Sequence, residues 1–135
     1  MKNLKQYYKE LGKLVYALAM ADGFIQVEER MKLNDFVLKE MASHESEHDV
    51  SGMNKAFYVD FEFENSVERK LDTNACILSY KKFVDANFET GDEALVKRAF
   101  TLLKEVNASY SKRKEATILD IVRTQIDKLT NSVAR

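Results

Sequence analysis

Ala21-Asp22-Gly23-Phe24-Ile25-Gln26-Val27-Glu28-Glu29 separates two stretches of helical periodicity, and its reading decides how the chain folds. Gly23 can take a positive φ at little steric cost, which a helix needs in order to stop and turn. Glu28 and Glu29 then fall in the first turn of the next helix, where the positive end of the helix dipole favours negative charge. Asp22, at the corner itself, can accept hydrogen bonds from that helix's free N–H groups or approach the two glutamates. Two readings stay open: a well-made helix cap, or a small cation site formed by Asp22, Glu28 and Glu29.

Outward from this corner the apolar residues recur at helical spacing. Leu4, Tyr7, Leu11, Leu14, Val15, Leu18 and Ala19 predict a helix from about residue 3 to 21, and Val27, Met31, Leu33, Phe36, Val37 and Met41 a second to about 42. Cys76, Ile77, Tyr80, Phe83, Val84 and Phe88 mark a third face. Thr90-Gly91-Asp92-Glu93 has the Thr-x-x-Glu form of a capping box, opening a helix lined by Leu95, Ala99, Leu102, Leu103 and Val106. Ser111 is a natural N-cap for a last helix with the stripe Ile118, Leu119, Val122, Ile126 and Leu129. Proline is absent and glycine occurs only 4 times, so little in the chain forbids helix. The expectation is an all-α fold: a single compact bundle of roughly five to seven helices over residues 1–135.

The middle reads differently. Residues 43–54 are polar and include Ser51-Gly52, a loop signal. Phe57-Tyr58-Val59-Asp60-Phe61-Glu62-Phe63-Glu64 alternates apolar and polar, a strand pattern, but no second alternating run offers it a partner. It is therefore expected as a short helix or an extended plug, with Asn65 and Ser66 capping one more turn through Leu71. A weak internal repeat aligns Leu14–Leu38 with Ala99 onward. Asp22 falls on Asn107, Gly23 on Ala108, and Glu28-Glu29 on Arg113-Lys114. Two weakly related helical-hairpin halves, meeting over 3–42 and 92–131, explain this without any shared chemistry.

The segment Leu18-Ala19-Met20-Ala21-Asp22-Gly23-Phe24-Ile25 followed by Glu28-Glu29 resembles the Ala-Asp-Gly…Glu-Glu signature of the tellurite-resistance TerB-like family, which is also found in the N-terminal domain of DjlA-type membrane co-chaperones. The close match covers about twenty residues. The resemblance implies a bacterial, TerB-like helical domain acting in stress or tellurite and metal resistance. It further implies acidic residues linked to divalent-cation binding, and a protein partner associated with the membrane. It implies no reaction.

A stricter motif tests the cation reading. Gly23, Ile25 and Glu29 match positions six, eight and twelve of an EF-hand loop. That register puts Leu18 and Met20 at positions one and three, which require oxygen ligands. A full calcium loop is excluded, and weak binding of Ca²⁺ or Mg²⁺ is what remains for these carboxylates. His44-Glu45-Ser46-Glu47-His48 satisfies H-E-x-x-H, in which two histidines on one helical face bind zinc and the glutamate activates water. The run is acidic throughout and leads into a loop, and there are no further histidines. A small metal-dependent hydrolase on His44 and His48 is thus the alternative reading, with adventitious zinc or nickel binding beside it.

Composition narrows the classes. Lys plus Arg number 21 against 22 for Asp plus Glu, a net charge of −1, which lacks the basic surface of a general nucleic-acid binder. Cys76 is the single cysteine and sits in an apolar run, so it is expected as a buried, reduced core residue. The lysine-rich start has no apolar h-region behind it and no stretch reaches the roughly 20 apolar residues of a membrane span, so a cytoplasmic location without membrane insertion is expected. Residues 43–64 carry six acids against one lysine, an acidic patch suited to a cation or a basic partner. The function expected is that of a non-enzymatic binding module.

Overall fold

Helix α1 (Leu4–Ala19) runs through the interior of the molecule and is covered on most of its circumference. Tyr7, Tyr8, Leu11 and every residue from Leu14 to Ala19 are buried. A helix apolar all round is a core helix; each large side chain fully buried contributes about 1.5–3 kcal/mol. The structure, a computed structural model, describes residues 1–20, 25–106, 120, 122–124 and 127. After α1 come α2 (Val27–Phe36), a π turn (Val37–Met41) and a 3₁₀ turn (Ala42–His44) in unbroken succession. A second 3₁₀ turn (Lys55–Phe57) opens α3 (Tyr58–Arg69), followed by α4 (Thr73–Asn87) and α5 (Glu93–Val106). Val122 lies in a further helical stretch and is buried in the same core. The expected all-α bundle is thus what forms. Among the described residues the strand-like element is one isolated bridge, His48 to Asn54.

α1 packs chiefly against α3 and α4, whereas α2 packs against α5. The first expected hairpin therefore does not close on itself: its two helices take different partners. Of the second hairpin, α5 is described, whereas Ser111 and every residue of the last stripe but Val122 lie outside the described residues. α1 and α3 approach at Gly12, where a Cβ atom would stand 2.5 Å from the Val59 carbonyl oxygen and 3.0 Å from the Phe63 amide nitrogen. Only glycine admits that distance. Across α1 and α4 a buried carboxylate makes the tie: Glu10 accepts from the Ser79 hydroxyl at 2.6 Å and faces the Lys13 ammonium at 3.4 Å. The buried Tyr7 and Tyr80 hydroxyls meet at 3.3 Å, and the Tyr16 hydroxyl donates to the Leu71 carbonyl at 2.8 Å.

The alternating run 57–64 is helical. Val59, Phe63 and Ser66 form its buried face, and Phe61 is left out in solvent. Asn65 and Ser66 do not cap a separate turn. They lie inside α3, where the Ser66 hydroxyl donates back to the Glu62 carbonyl at 2.7 Å. Asn54 is the cap, its side-chain oxygen accepting from the Ala56 amide at 2.9 Å. α3 ends at Lys70, in the left-handed region at φ 52°. The amides of Lys70 and Leu71 return to the carbonyls of Val67 and Ser66, which is the Schellman pattern.

α5 opens at Glu93 itself, three residues after Thr90, and the Asp92 carboxylate before it accepts the Glu89 amide of the preceding turn at 2.6 Å. Along α2, Leu33, Phe36, Val37 and Met41 are buried as the periodicity requires. Val27 and Met31, assigned to the same stripe, are exposed at 68% and 65%. They phase with Leu38, also exposed, on a second apolar stripe that no described element covers. Cys76 is a free, buried thiol whose pKa is pushed up by burial, as its setting predicts. No helix among the described residues is long and apolar enough to cross a membrane.

Candidate functional site

Three places carry the candidate residues: the start of α2, the loop after it, and the groove between α2 and α5. At the start of α2 the chain is extended at Gln26 (φ −86°, ψ 151°) and turns helical at Val27. The Glu29 carboxylate folds back to accept the Gln26 amide at 2.9 Å, the returning half of a capping box, and Glu29 is buried. Glu28, its neighbour, faces solvent. The two glutamates therefore differ in kind: one closes the helix end and the other presents a charge at it. Asp22 lies outside the described residues.

The 3₁₀ turn ends at His44, and Glu45 is extended (φ −98°, ψ 119°). His48 sits in the bridge to Asn54, with its Nδ1 at 3.1 Å from the Ser46 carbonyl. His44 and His48 thus do not share a helical face, the arrangement the zinc-binding helix requires. Glu45, the residue that motif assigns to activating water, accepts the hydroxyl of buried Tyr8 through one carboxylate oxygen and the Glu47 amide through the other at 2.8 Å. Burial and the bond to Glu45 push the Tyr8 phenol well above its ordinary pKa.

The rest of the loop is built around Asp49. Its Oδ1 accepts from the Ser51 amide at 2.9 Å, the Ser51 hydroxyl at 2.6 Å and the Met53 amide at 3.1 Å, and its Oδ2 from the Tyr58 hydroxyl at 2.6 Å. The Ser51 and Tyr58 hydroxyls hold the carboxyl well below the usual carboxylate range. Asn54 closes the base, donating to the carbonyls of Ala42 and Glu45. The acids of residues 43–64 are thus largely committed internally. Glu47 pairs with Lys55 at 2.9 Å, Glu62 accepts from Asn65 at 3.2 Å, and Glu64 pairs with Arg30 of α2 at 3.4 Å. The acidic patch is therefore a set of local bonds more than an open surface.

The groove between α2 and α5 holds about 480 Å³ and is lined by Lys32, Asp35, Phe36, Lys39, Glu40 and His44 from one wall and Arg98, Thr101 and Glu105 from the other. The π turn is part of the first wall; its Ala42 amide reaches the Val37 carbonyl, five residues back. Such wide turns recur at functional sites. Asp35 and Lys39 neutralise each other at 2.8 Å. The remaining lining carries charges of both signs, with Phe36 as its one aromatic residue. Sequence periodicity could not find this site, because the groove joins residues about 60 apart that face each other only once α5 docks.

Among the described residues no three His, Cys, Asp or Glu side chains converge as a metal site. No family model, curated protein or solved structure matches the chain.

Proposed function

We propose that the chain is a non-enzymatic helical binding module of the TerB-like kind, acting in a stress or metal-resistance context. It takes a divalent cation or a basic protein segment at the acidic start of α2. The observation that carries the reading is the division of labour at that turn: Glu29 is consumed in closing the helix, while Glu28 keeps a solvent-facing carboxylate at the positive end of α2. With Asp22 it supplies the oxygen ligands that weak Ca²⁺ or Mg²⁺ binding needs, the remaining positions being filled by water. A basic segment bound there extends along the adjoining groove, whose lining includes Glu40 and Glu105.

Melting the protein with and without millimolar Mg²⁺ or Ca²⁺ tests this reading. Cation binding to the native state raises the melting temperature of the parent, and Asp22→Ala and Glu28→Gln abolish the rise, as ligand linkage demands. A parent that melts identically with and without the ion refutes the cation role. The hydrolase alternative has no observation in its favour, since His44 ends a 3₁₀ turn, Glu45 after it is extended, and that glutamate is bonded to Tyr8.

A further inference from the structure

Two ammonium groups stand over one aromatic ring at the start of α3. From α1, the Lys5 Nζ lies 4.7 Å and the Lys9 Nζ 5.7 Å from the centre of the Tyr58 ring. Both distances fall within the reach at which a ring face attracts a cation. The two lysines are four residues apart on α1, a spacing at which like charges destabilise a helix. Among the described residues neither forms an ion pair, so the ring gathers two positive charges that no acid neutralises.

Apolar side chains left in solvent surround the same ring. The Tyr58 hydroxyl donates to Asp49 Oδ2 at 2.6 Å, and Asp49 Oδ1 holds the amides of Ser51 and Met53, so the loop is braced against α3. Val50, next to Asp49 at the tip of that loop, is fully exposed. Phe61, on the next turn of α3, meets Tyr58 edge-on with 6.1 Å between ring centres and is 55% exposed. Apolar side chains on a braced support lose little freedom when they bind, and aromatic anchors dominate binding surfaces. The acids nearby do not cancel the lysines: Asp49 is consumed in the loop, Glu47 by Lys55 and Glu62 by Asn65.

We propose that this surface, centred on Tyr58, docks an acidic segment of a partner protein. Carboxylates of the segment neutralise Lys5 and Lys9, and an apolar side chain of it packs on Phe61, with Val50 as a second apolar contact. Charge complementarity selects this occupant, because two ammonium groups without a counter-ion favour carboxylates and repel a basic segment. A bilayer fits less well, since membrane-bound surfaces gather roughly four to eight basic residues. The proposal goes beyond the binding role given to the start of α2: it uses other residues and the opposite charge, so the failure of one leaves the other standing.

Amide NMR of the full chain, titrated at low salt with the capped peptide acetyl-Asp-Glu-Leu-Phe-Glu-Asp-amide, tests the surface. The resonances of Lys5, Lys9, Val50, Tyr58 and Phe61 are expected to move together along one binding curve that weakens as ionic strength rises. Lys5→Gln combined with Lys9→Gln should weaken binding about threefold to tenfold, and Phe61→Ser should weaken it as well. The same peptide with lysines in place of its acids should leave these resonances still. The proposal is overturned if the acidic peptide moves none of them, or if its basic counterpart moves them equally. A protein that ignores the peptide and instead binds phosphatidylserine vesicles overturns it too. The first titration needs only the parent, so a variant that folds poorly cannot hide the result.

Discussion

At the scale of single residues, two backbone positions make opposite demands. Gly12 sits where α1 and α3 nearly touch, and a methyl group there meets the Val59 carbonyl oxygen at 2.5 Å. A backbone oxygen cannot rotate away, so Gly12→Ala forces the helices apart at a cost of about 1–3 kcal/mol, typical of overpacking. Alanine's better helix propensity returns about 1 kcal/mol. The clash is expected to win, lowering the denaturation midpoint of the variant. Lys70 is the converse case: it holds φ 52° to end α3, a conformation that costs a residue with a Cβ about 1–2 kcal/mol. Lys70→Gly relieves that strain and, after the added flexibility of the unfolded chain, should stabilise by about 0.5–1 kcal/mol. A melting temperature that falls for Lys70→Gly contradicts this account of the helix end.

At the scale of elements, the start of α2 separates two neighbours that look alike in sequence. Glu29→Ala removes the bond to the Gln26 amide and should cost about 0.5–2 kcal/mol, the usual range for a lost cap. Glu28→Ala removes a solvent-facing charge and should stay within about 0.5 kcal/mol of the parent. Urea denaturation of the two variants side by side checks the contrast, and equal losses would deny the division of labour at this turn. The loop after α2 makes a related point. Its histidines match a zinc motif by spacing alone, and the 3₁₀ turn followed by extended Glu45 removes the helix that gives the spacing meaning.

At the scale of the whole molecule, two aspartates pull the pH dependence of stability in opposite directions. Asp49 titrates below its unfolded value, so its contribution is present above about pH 4 and is lost as pH falls through the folded value. Asp60 titrates above its unfolded value, pushed up first by burial and then by the charge of Glu64. Between the ordinary aspartate value and about 6 the native state keeps a proton that the unfolded chain has released, so this contribution is lost as pH rises through about 6. Asp49 titrates far below neutrality, which leaves Asp60 the lever near neutral pH. The melting temperature is therefore expected to rise on acidification from neutral pH to about 5, and Asp60→Asn should flatten that rise. A parent whose melting temperature falls steadily over the same range contradicts the assignment.

The sequence by itself determined that the chain is helical and where most helices lie. That information is local: the 3.6-residue recurrence in α1, α4 and α5, the absence of proline, and carboxylates placed at helix starts. It also determined that Cys76 is buried and that Glu28 and Glu29 open a helix. It could not say which glutamate would cap, because both suit the dipole and only the turn at Gln26 selects Glu29. Residues 57–64 read as alternating because phenylalanines fall on both sides of α3. The helix wins there since it satisfies its own backbone, while a lone strand leaves its amides unpaired. Tertiary structure alone decided which of two apolar stripes on α2 is buried: Leu33, Phe36 and Val37 join the common core, leaving Val27, Met31 and Leu38 in solvent. The groove with Arg98 and the Tyr58 ring beneath Lys5 and Lys9 belong to the same class, for each exists only where one helix is laid against another.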